Sequence, residues 1–180
     1  FHLPLQSGSD EMLRRWNRHY DTAAYLKILD YMREKMPDIT VTSEIIVGFP
    51  GESEADFEAT LNMLGRARFD MIFSFIYSPR EGTPAAAMED PVTRAEKGKW
   101  FAELLAAQEE TAAENEKKLI GTSHRLLCDA KGTTDGYMSG HSEGTAVVEF
   151  PGDESMIGKF INVRIEECDG VFKGKIITEK

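Results

Sequence analysis

Three short stretches of the chain carry side chains and backbone suited to binding a polar ligand. Gln6-Ser7-Gly8-Ser9 offers an amide, two hydroxyls and a flexible backbone whose N–H groups can face such a ligand. Val47-Gly48-Phe49-Pro50-Gly51-Glu52 sets two glycines, which let a backbone approach a flat ligand closely, beside an apolar wall of Phe49 and Pro50. Tyr77 to Pro84 carries Arg80, whose guanidinium can fork onto a carboxylate or a phosphate. Each stretch alone is ordinary turn chemistry. Their recurrence at three consecutive strand ends points to one mouth, because ligands in parallel α/β sheets bind where the strands end at their carboxyl side. Glu44, a carboxylate inside an apolar strand, is either a costly buried charge or a solvent-facing residue at the near end of the strand.

The elements that must hold these loops are legible in the pattern. Phe1 to Leu5 is short and apolar, and Asp10 to Trp16 is a helical turn. Asp21 to Met36 reads as a helix with Ala24, Tyr25, Ile28, Leu29 and Met32 on one face, stopped by Pro37. Ile39 to Val47 is β-branched and apolar, as a buried parallel strand requires. Ser53-Glu54-Ala55-Asp56 resembles a capping box opening a helix to about Arg66. Asp70 to Tyr77 is the next strand, and a long Ala/Glu/Lys-rich helix opens at Thr93-Arg94-Ala95-Glu96 and ends near Gly121, its charges expected on a solvated face. Strands separated by helices of this length imply βαβ units and a parallel sheet.

After residue 120 the texture becomes all-strand. Ser123 to Ala130, Tyr137 to Gly140, Thr145 to Phe150, Phe160 to Glu166 and Phe172 to Thr178 are separated by Gly-bearing turns, which predicts a small closed barrel. The expected division is therefore 1–119, an α/β domain, and 120–180, a β-domain.

Composition narrows the function classes. No run approaches the roughly 18 apolar residues of a membrane span, and no basic-then-apolar leader is visible. Cys128 and Cys168 are too few for an iron–sulfur cluster, which takes three or four thiolates. They read as buried or half-buried free thiols, fitting a reducing cytoplasm. His2, His19, His124 and His141 are scattered without ligand-like spacing. Trp16 and Trp100 read as packing residues. The net charge of −10 argues against general nucleic-acid binding. Residues 119–180 hold seven Lys/Arg against ten Asp/Glu, so RNA contact there needs a local patch, with Arg125, Lys159, Arg164, Lys173 and Lys175 as candidates. Tyr137, Phe150 and Phe160 could stack on bases or fill the barrel, and the core is the favoured place for each.

These motifs resemble those of the radical-SAM methylthiotransferases. His2-Leu3-Pro4-Leu5-Gln6-Ser7-Gly8-Ser9-Asp10, with Leu13 and Asn17-Arg18-His19-Tyr20, is similar to the end of that family's fourth barrel strand. Glu44 to Glu52 resembles its fifth strand and turn, and Phe75 to Ala85 its sixth. Phe150-Pro151-Gly152-Asp153, Ile157-Gly158 and Val163-Arg164-Ile165 look like the TRAM domain that ends these enzymes.

The resemblance implies the second half of a radical-SAM TIM-type barrel followed by a small OB-like barrel. Such enzymes add a methylthio group at C2 of N6-isopentenyladenosine beside the tRNA anticodon. One four-iron cluster reductively cleaves S-adenosylmethionine to a deoxyadenosyl radical, and a second is implicated in sulfur delivery. Neither cysteine set is in this chain, which begins with Phe1 in mid-strand and is expected to be a fragment working with an N-terminal portion of the same protein. By resemblance, Glu44 and Val47, Gly48, Phe49, Pro50 and Gly51 pack on S-adenosylmethionine, and Gln6, Ser7, Gly8, Ser9 and Arg80 lie at the substrate mouth. Related branches modify threonylcarbamoyl-adenosine in tRNA or an aspartate of a ribosomal protein. The Gln-Ser-Gly-Ser loop and the Phe-Ile-Tyr-Ser-Pro-Arg run favour the isopentenyladenosine branch. A reading from another class makes the chain a non-catalytic RNA-binding and scaffolding module.

Overall fold

The computed structural model describes residues 1–177; Thr178, expected to end the last strand, lies outside the described residues. The chain forms two compact units, Phe1–Ala112 and Ala113–Lys180.

In the first unit the residues that can start helices do so. Ser9 caps α1 (Asp10–Arg15), Asp21 caps α2 (Thr22–Lys35), and Ser53 with Asp56 forms the expected reciprocal capping box on α3 (Glu54–Ala67). Strands β1 (Thr42–Val47) and β2 (Met71–Ile76) pair in parallel, with Thr42 opposite Met71 and Val47 opposite Ile76. Strand β1 starts three residues later than expected. The N–H of Val41 is taken by the Asp70 carboxylate at 2.7 Å, not by a ladder partner.

The first segment runs alongside β1 but touches it through two isolated parallel bridges, His2 to Thr42 and Gln6 to Ile45. Pro4 has no N–H to give, the Leu5 N–H goes to the Ser43 hydroxyl at 3.0 Å, and Gln6 has φ of 74°. A regular ladder cannot form through those three residues.

Helix α2 buries Tyr25, Leu26, Leu29 and Met32. Ile28, expected on that face, is 50% exposed, and Leu26 takes the inner position. The core also holds Leu5, Val41, Ile45, Val47, Phe57, Met63, Leu64, Phe69 and Leu104. At roughly 1.5–3 kcal/mol per buried side chain of this size, this is what secures the unit. Helix α4 (Arg94–Leu119) departs from the expected solvated charge pattern. Lys97 is 6% exposed with its ammonium on Asp90, and the Gln108 amide donates to the Phe69 carbonyl at 3.0 Å.

One face of the sheet carries this core and the other does not. Phe73 is 45% and Phe75 51% exposed, and Met71 shares their side of β2.

In the second unit, β3 (Ser123–Lys131), β4 (Tyr137–His141), β5 (Val147–Pro151), β6 (Phe160–Cys168) and β7 (Phe172–Ile176) close in the order β3-β4-β5-β7-β6. All neighbours are antiparallel except β5 and β7. Alternate residues fill the barrel: Leu126, Cys128, Met138, Val148, Phe150, Val163, Ile165 and Phe172. Glu149 ties down the β3–β4 connection. Its carboxylate accepts from the Thr133 hydroxyl and the Thr133 and Thr134 N–H groups, and these bonds, the hydroxyl foremost, lower its pKa to about 2.

Candidate functional site

The first unit gathers its three polar loops at the carboxyl ends of the parallel strands, each held differently. After the first segment, Gln6 turns left-handed and its amide donates to Glu44 Oε2 at 3.0 Å. Glu44 is half-buried on the sheet face that also carries Phe73, its partner in the ladder. Ser7, Gly8 and Ser9 are engaged within the fold. Ser7 Oγ and the Gly8 N–H meet the Thr60 hydroxyl at 3.3 and 3.0 Å. Ser9 Oγ donates to Asp56 at 2.5 Å while accepting from the Met12 N–H. Burial works against the Asp56 charge, but the Ser53 and Ser9 hydroxyls outweigh it and lower that carboxyl below its ordinary range.

The turn after β1 is built around Glu52. Its Oε2 accepts the Gly48 N–H at 2.5 Å and the Phe49 N–H at 3.1 Å. Gly48 and Gly51 have φ of 75° and 80°, the region where a side chain is strained. The space a Cβ would need at Gly48 is filled by the methylenes of Lys97, and at Gly51 by the Arg15 guanidinium, which bonds the Gly51 carbonyl at 3.0 Å. Val47 and Pro50 are buried, and Glu52 is 2% exposed. Burial pushes the Glu52 carboxyl up to about 7, against the pull of the Gly48 and Phe49 N–H groups; Asp56 adds to the rise and Lys97 opposes it.

Phe49 sits between two aromatic rings, Trp16 at 5.1 Å and Tyr77 at 5.0 Å between centroids. Trp16 Nε1 and the Tyr77 hydroxyl are buried and, among the described residues, have no hydrogen-bond partner. Buried polar atoms are nearly always paired, so two orphans flanking one ring set this spot apart from the rest of the core. The sequence places Trp16 as a packing residue and Tyr77 at the junction of the second strand and its polar loop, without marking either side chain for this spot. Only their position beside the strand-end loops could have singled them out. Tyr77 follows β2, its N–H bonded to Val47, and Arg80 lies exposed in the next loop.

Among the described residues no three His, Cys, Asp or Glu side chains are grouped to hold a metal ion. Cys128 is a buried and Cys168 a half-buried free thiol.

In the second unit, β6 aligns candidate cations across the barrel's outer surface. Arg164 lies opposite Ser123 on β3 and Lys175 on β7. The Arg125 guanidinium covers the Phe160 ring at 4.1 Å from its centroid, and Phe160 is 58% exposed while Phe150 is in the core. A shallow hollow of about 170 Å³ adjoins, lined by Ser123, His124, Arg125, Asn162 and Ile177. Lys159 is exposed immediately before Phe160. Lys173 stands apart, facing Glu149 and Glu167 across the ladder.

Residues 1–64 match the family model of the radical SAM superfamily. Over nearly its whole length the chain is similar to proteins named tRNA-2-methylthio-N(6)-dimethylallyladenosine synthase. It is 41% identical to that of Alkaliphilus oremlandii over 99% of this chain and 38% of the relative. It is 45% identical to that of Halorhodospira halophila over 98% of this chain and 38% of the relative. The likeness of the chain to the radical-SAM methylthiotransferases is therefore borne out, and the chain spans about 38% of the length of these curated relatives. Among solved structures, a radical SAM enzyme, coproporphyrinogen III oxidase from Escherichia coli, shares the fold. It has 17% identity and a TM-score of 0.53, over 91% of this chain and 40% of that one.

Proposed function

We propose that this chain carries part of a radical-SAM tRNA methylthiotransferase that modifies N6-isopentenyladenosine next to the anticodon. The observation that supports it most is the pair of unpaired polar atoms, Trp16 Nε1 and the Tyr77 hydroxyl, on either side of Phe49. They stand at the strand ends of a chain 40–45% identical to named synthases.

In this reading the turn Val47 to Gly51 and Glu44 receive S-adenosylmethionine. A flat ring system with a polar rim suits the Phe49 wall, and Glu44, oriented by Gln6, supplies a carboxylate to a cationic part of the ligand. When bound, S-adenosylmethionine and an iron–sulfur cluster supply the radical chemistry. The residues of this chain do not fit either of the two four-iron clusters, whose thiolates belong to an N-terminal portion of the longer protein. Gln6 to Ser9 and Arg80 form the substrate side, with Ser7, Gly8 and Ser9 positioning Gln6 through α3, and Arg80 exposed for a phosphate. Residues 1–119 are the second half of the barrel domain and 120–180 a TRAM-like module, acting on tRNA in the cytoplasm. Among the described residues no helix is long and apolar enough to cross a membrane.

A segment exchange tests the reading. The matching segment of the Alkaliphilus oremlandii synthase is replaced by this chain, and tRNA is digested for mass spectrometry. The expected product is 2-methylthio-N6-isopentenyladenosine. A folded chimera that holds its clusters but leaves isopentenyladenosine unmodified overturns the proposal.

For the RNA module, the stripe of Arg125, Arg164 and Lys175 beside Phe160 supports contact with the anticodon stem-loop, with Lys159 at its end and Lys173 as a weaker contributor. Replacing Phe160 by Ala should weaken tRNA binding about tenfold, since one stacked base is worth roughly 1–3 kcal/mol, and leave the salt dependence unchanged. Replacing Lys159 and Arg164 together should instead flatten the log–log salt slope by about 1.5, two phosphate contacts at roughly 0.7–0.9 each. Fluorescent tRNA titrations at several salt concentrations separate the two effects. No binding even at low salt would make the barrel a structural cap.

A further inference from the structure

We propose that a groove on the first unit, between the start of α3 and the start of α4, is a docking site for the guanidinium of an arginine side chain on a partner polypeptide. The groove encloses about 390 Å³, within the usual range of roughly 300–1,000 Å³ for ligand clefts. Its walls carry the carboxylates of Glu52, Glu54, Glu96 and Glu103 against one cation, Lys99, and Trp100 lines it as well.

Carboxylates clustered on a surface are ordinary; the second observation is Glu52. It is 2% exposed, it forms part of the groove wall, and among the described residues its Oε1 accepts no hydrogen bond. Its other oxygen is committed to the backbone of the turn. The nearest buried cation, Lys97, gives its ammonium to Asp90. A buried carboxylate oxygen without a donor is costly, and a bound cation relieves that cost.

The geometry selects a guanidinium among cations. Trp100 is stacked on Phe57 at 5.2 Å and 9° between planes, so its ring is held in a fixed orientation, and a planar guanidinium stacks on an indole. Five N–H donors in one plane need several acceptors; Glu54 and Glu103 line the groove as exposed carboxylates, Glu52 adds a buried negative charge in its wall, and Glu96 is engaged with Thr93. A compact metal ion is disfavoured, because among the described residues no three such groups converge.

Binding should carry a proton linkage. Burial raises the Glu52 carboxyl to about 7, against the Gly48 and Phe49 N–H groups, with Asp56 raising it further and Lys97 lowering it, while Glu54, Glu96, Glu103 and Lys99 line the same groove and Asp90 holds Lys97. A cation that needs ionised Glu52 binds about tenfold more tightly at pH 8 than at pH 6, the ratio of ionised fractions.

The whole chain, labelled with nitrogen-15, is titrated with Nα-acetyl-arginine amide, following the Trp100 indole N–H and the amides of Glu52 to Glu54. Saturating shifts there, at least fivefold weaker with Nα-acetyl-lysine amide and absent with the neutral citrulline analogue, are expected. Glu54→Gln with Glu103→Gln, both exposed and so harmless to folding, should weaken binding at least fivefold, and Glu52→Gln should abolish the pH dependence. Equal binding of the citrulline or lysine compound overturns the assignment. So do shifts that do not saturate or that centre elsewhere, and unchanged affinity in the Glu54/Glu103 variant.

Discussion

Replacing Gly8 by Ala should cost the first unit about 3 kcal/mol, the upper end of the range for overpacking a tight site. A Cβ at this position would lie 2.5 Å from Thr60 Cα, 2.7 Å from the Ala59 carbonyl oxygen and 2.7 Å from Met63 Cβ. None of these is the far end of a flexible side chain, so relief requires moving the α3 backbone or the loop itself. Moving the loop breaks the Gly8 N–H bond to Thr60 and separates Ser9 from Asp56, which together fix α1 and α3 beside Gln6. The control is Gly65, in the same helix, where a Cβ meets nothing within 4 Å. There an alanine should stabilise by roughly 0.5–1 kcal/mol through helix propensity alone. Urea unfolding followed by tryptophan fluorescence reports this unit, since Trp16 and Trp100 both lie in it and are the chain's two tryptophans. A Gly8→Ala protein as stable as its parent would mean that the α3 contact yields cheaply.

The second large effect is one of pH. Glu52 has its folded pKa raised from 4.5 to about 7 by burial. The stability associated with its protonated form is fully present below pH 4.5 and is lost as pH rises through 7. At about 1.4 kcal/mol per unit, the loss across this window is about 3 kcal/mol. Glu52→Gln keeps an oxygen for the Gly48 and Phe49 N–H groups and removes the charge. It should be more stable than the parent at pH 8, and the gain should vanish near pH 5. Equal pH dependence for the two proteins would show that Glu52 ionises in the fold without cost.

Much of this was readable from residue types and spacing. The capping box at Ser53, the stop at Pro37 and the alternation that closes the barrel are local signals, and each acts through neighbours in sequence. The failures have a different origin. Ile28 and Leu26 both lie within reach of a helical stripe, and only the angle at which α2 meets the sheet decides which turns inward. Lys97 sits in an Ala/Glu/Lys pattern that reads as solvated, yet it is buried over Gly48, 49 residues away, because a glycine leaves room there. The two orphaned atoms at Trp16 and Tyr77 carry no spacing signal at all, since they converge through Phe49 from separate elements. The recognisable motifs marked the loops; their internal division into Gln6, bonded to Glu44, and Ser7, Gly8 and Ser9, bonded to α3, needed α3 in place.

The bare side of the two-stranded sheet bears on how copies of this polypeptide behave together. Strand β2 offers Phe73, Phe75 and Met71 to solvent, and among the described residues its outer edge has no ladder partner. A strand open along an edge and a face is a template for another strand, the arrangement from which aggregates grow. What opposes this is the net charge of −10, which makes like molecules repel. That repulsion reaches about 10 Å at 0.1 M salt and about 3 Å at 1 M, whereas apolar attraction is not screened. The colloidal stability of the chain therefore rests on ionic strength: dilute buffer keeps the molecules dispersed, and added salt lets the exposed strands find one another.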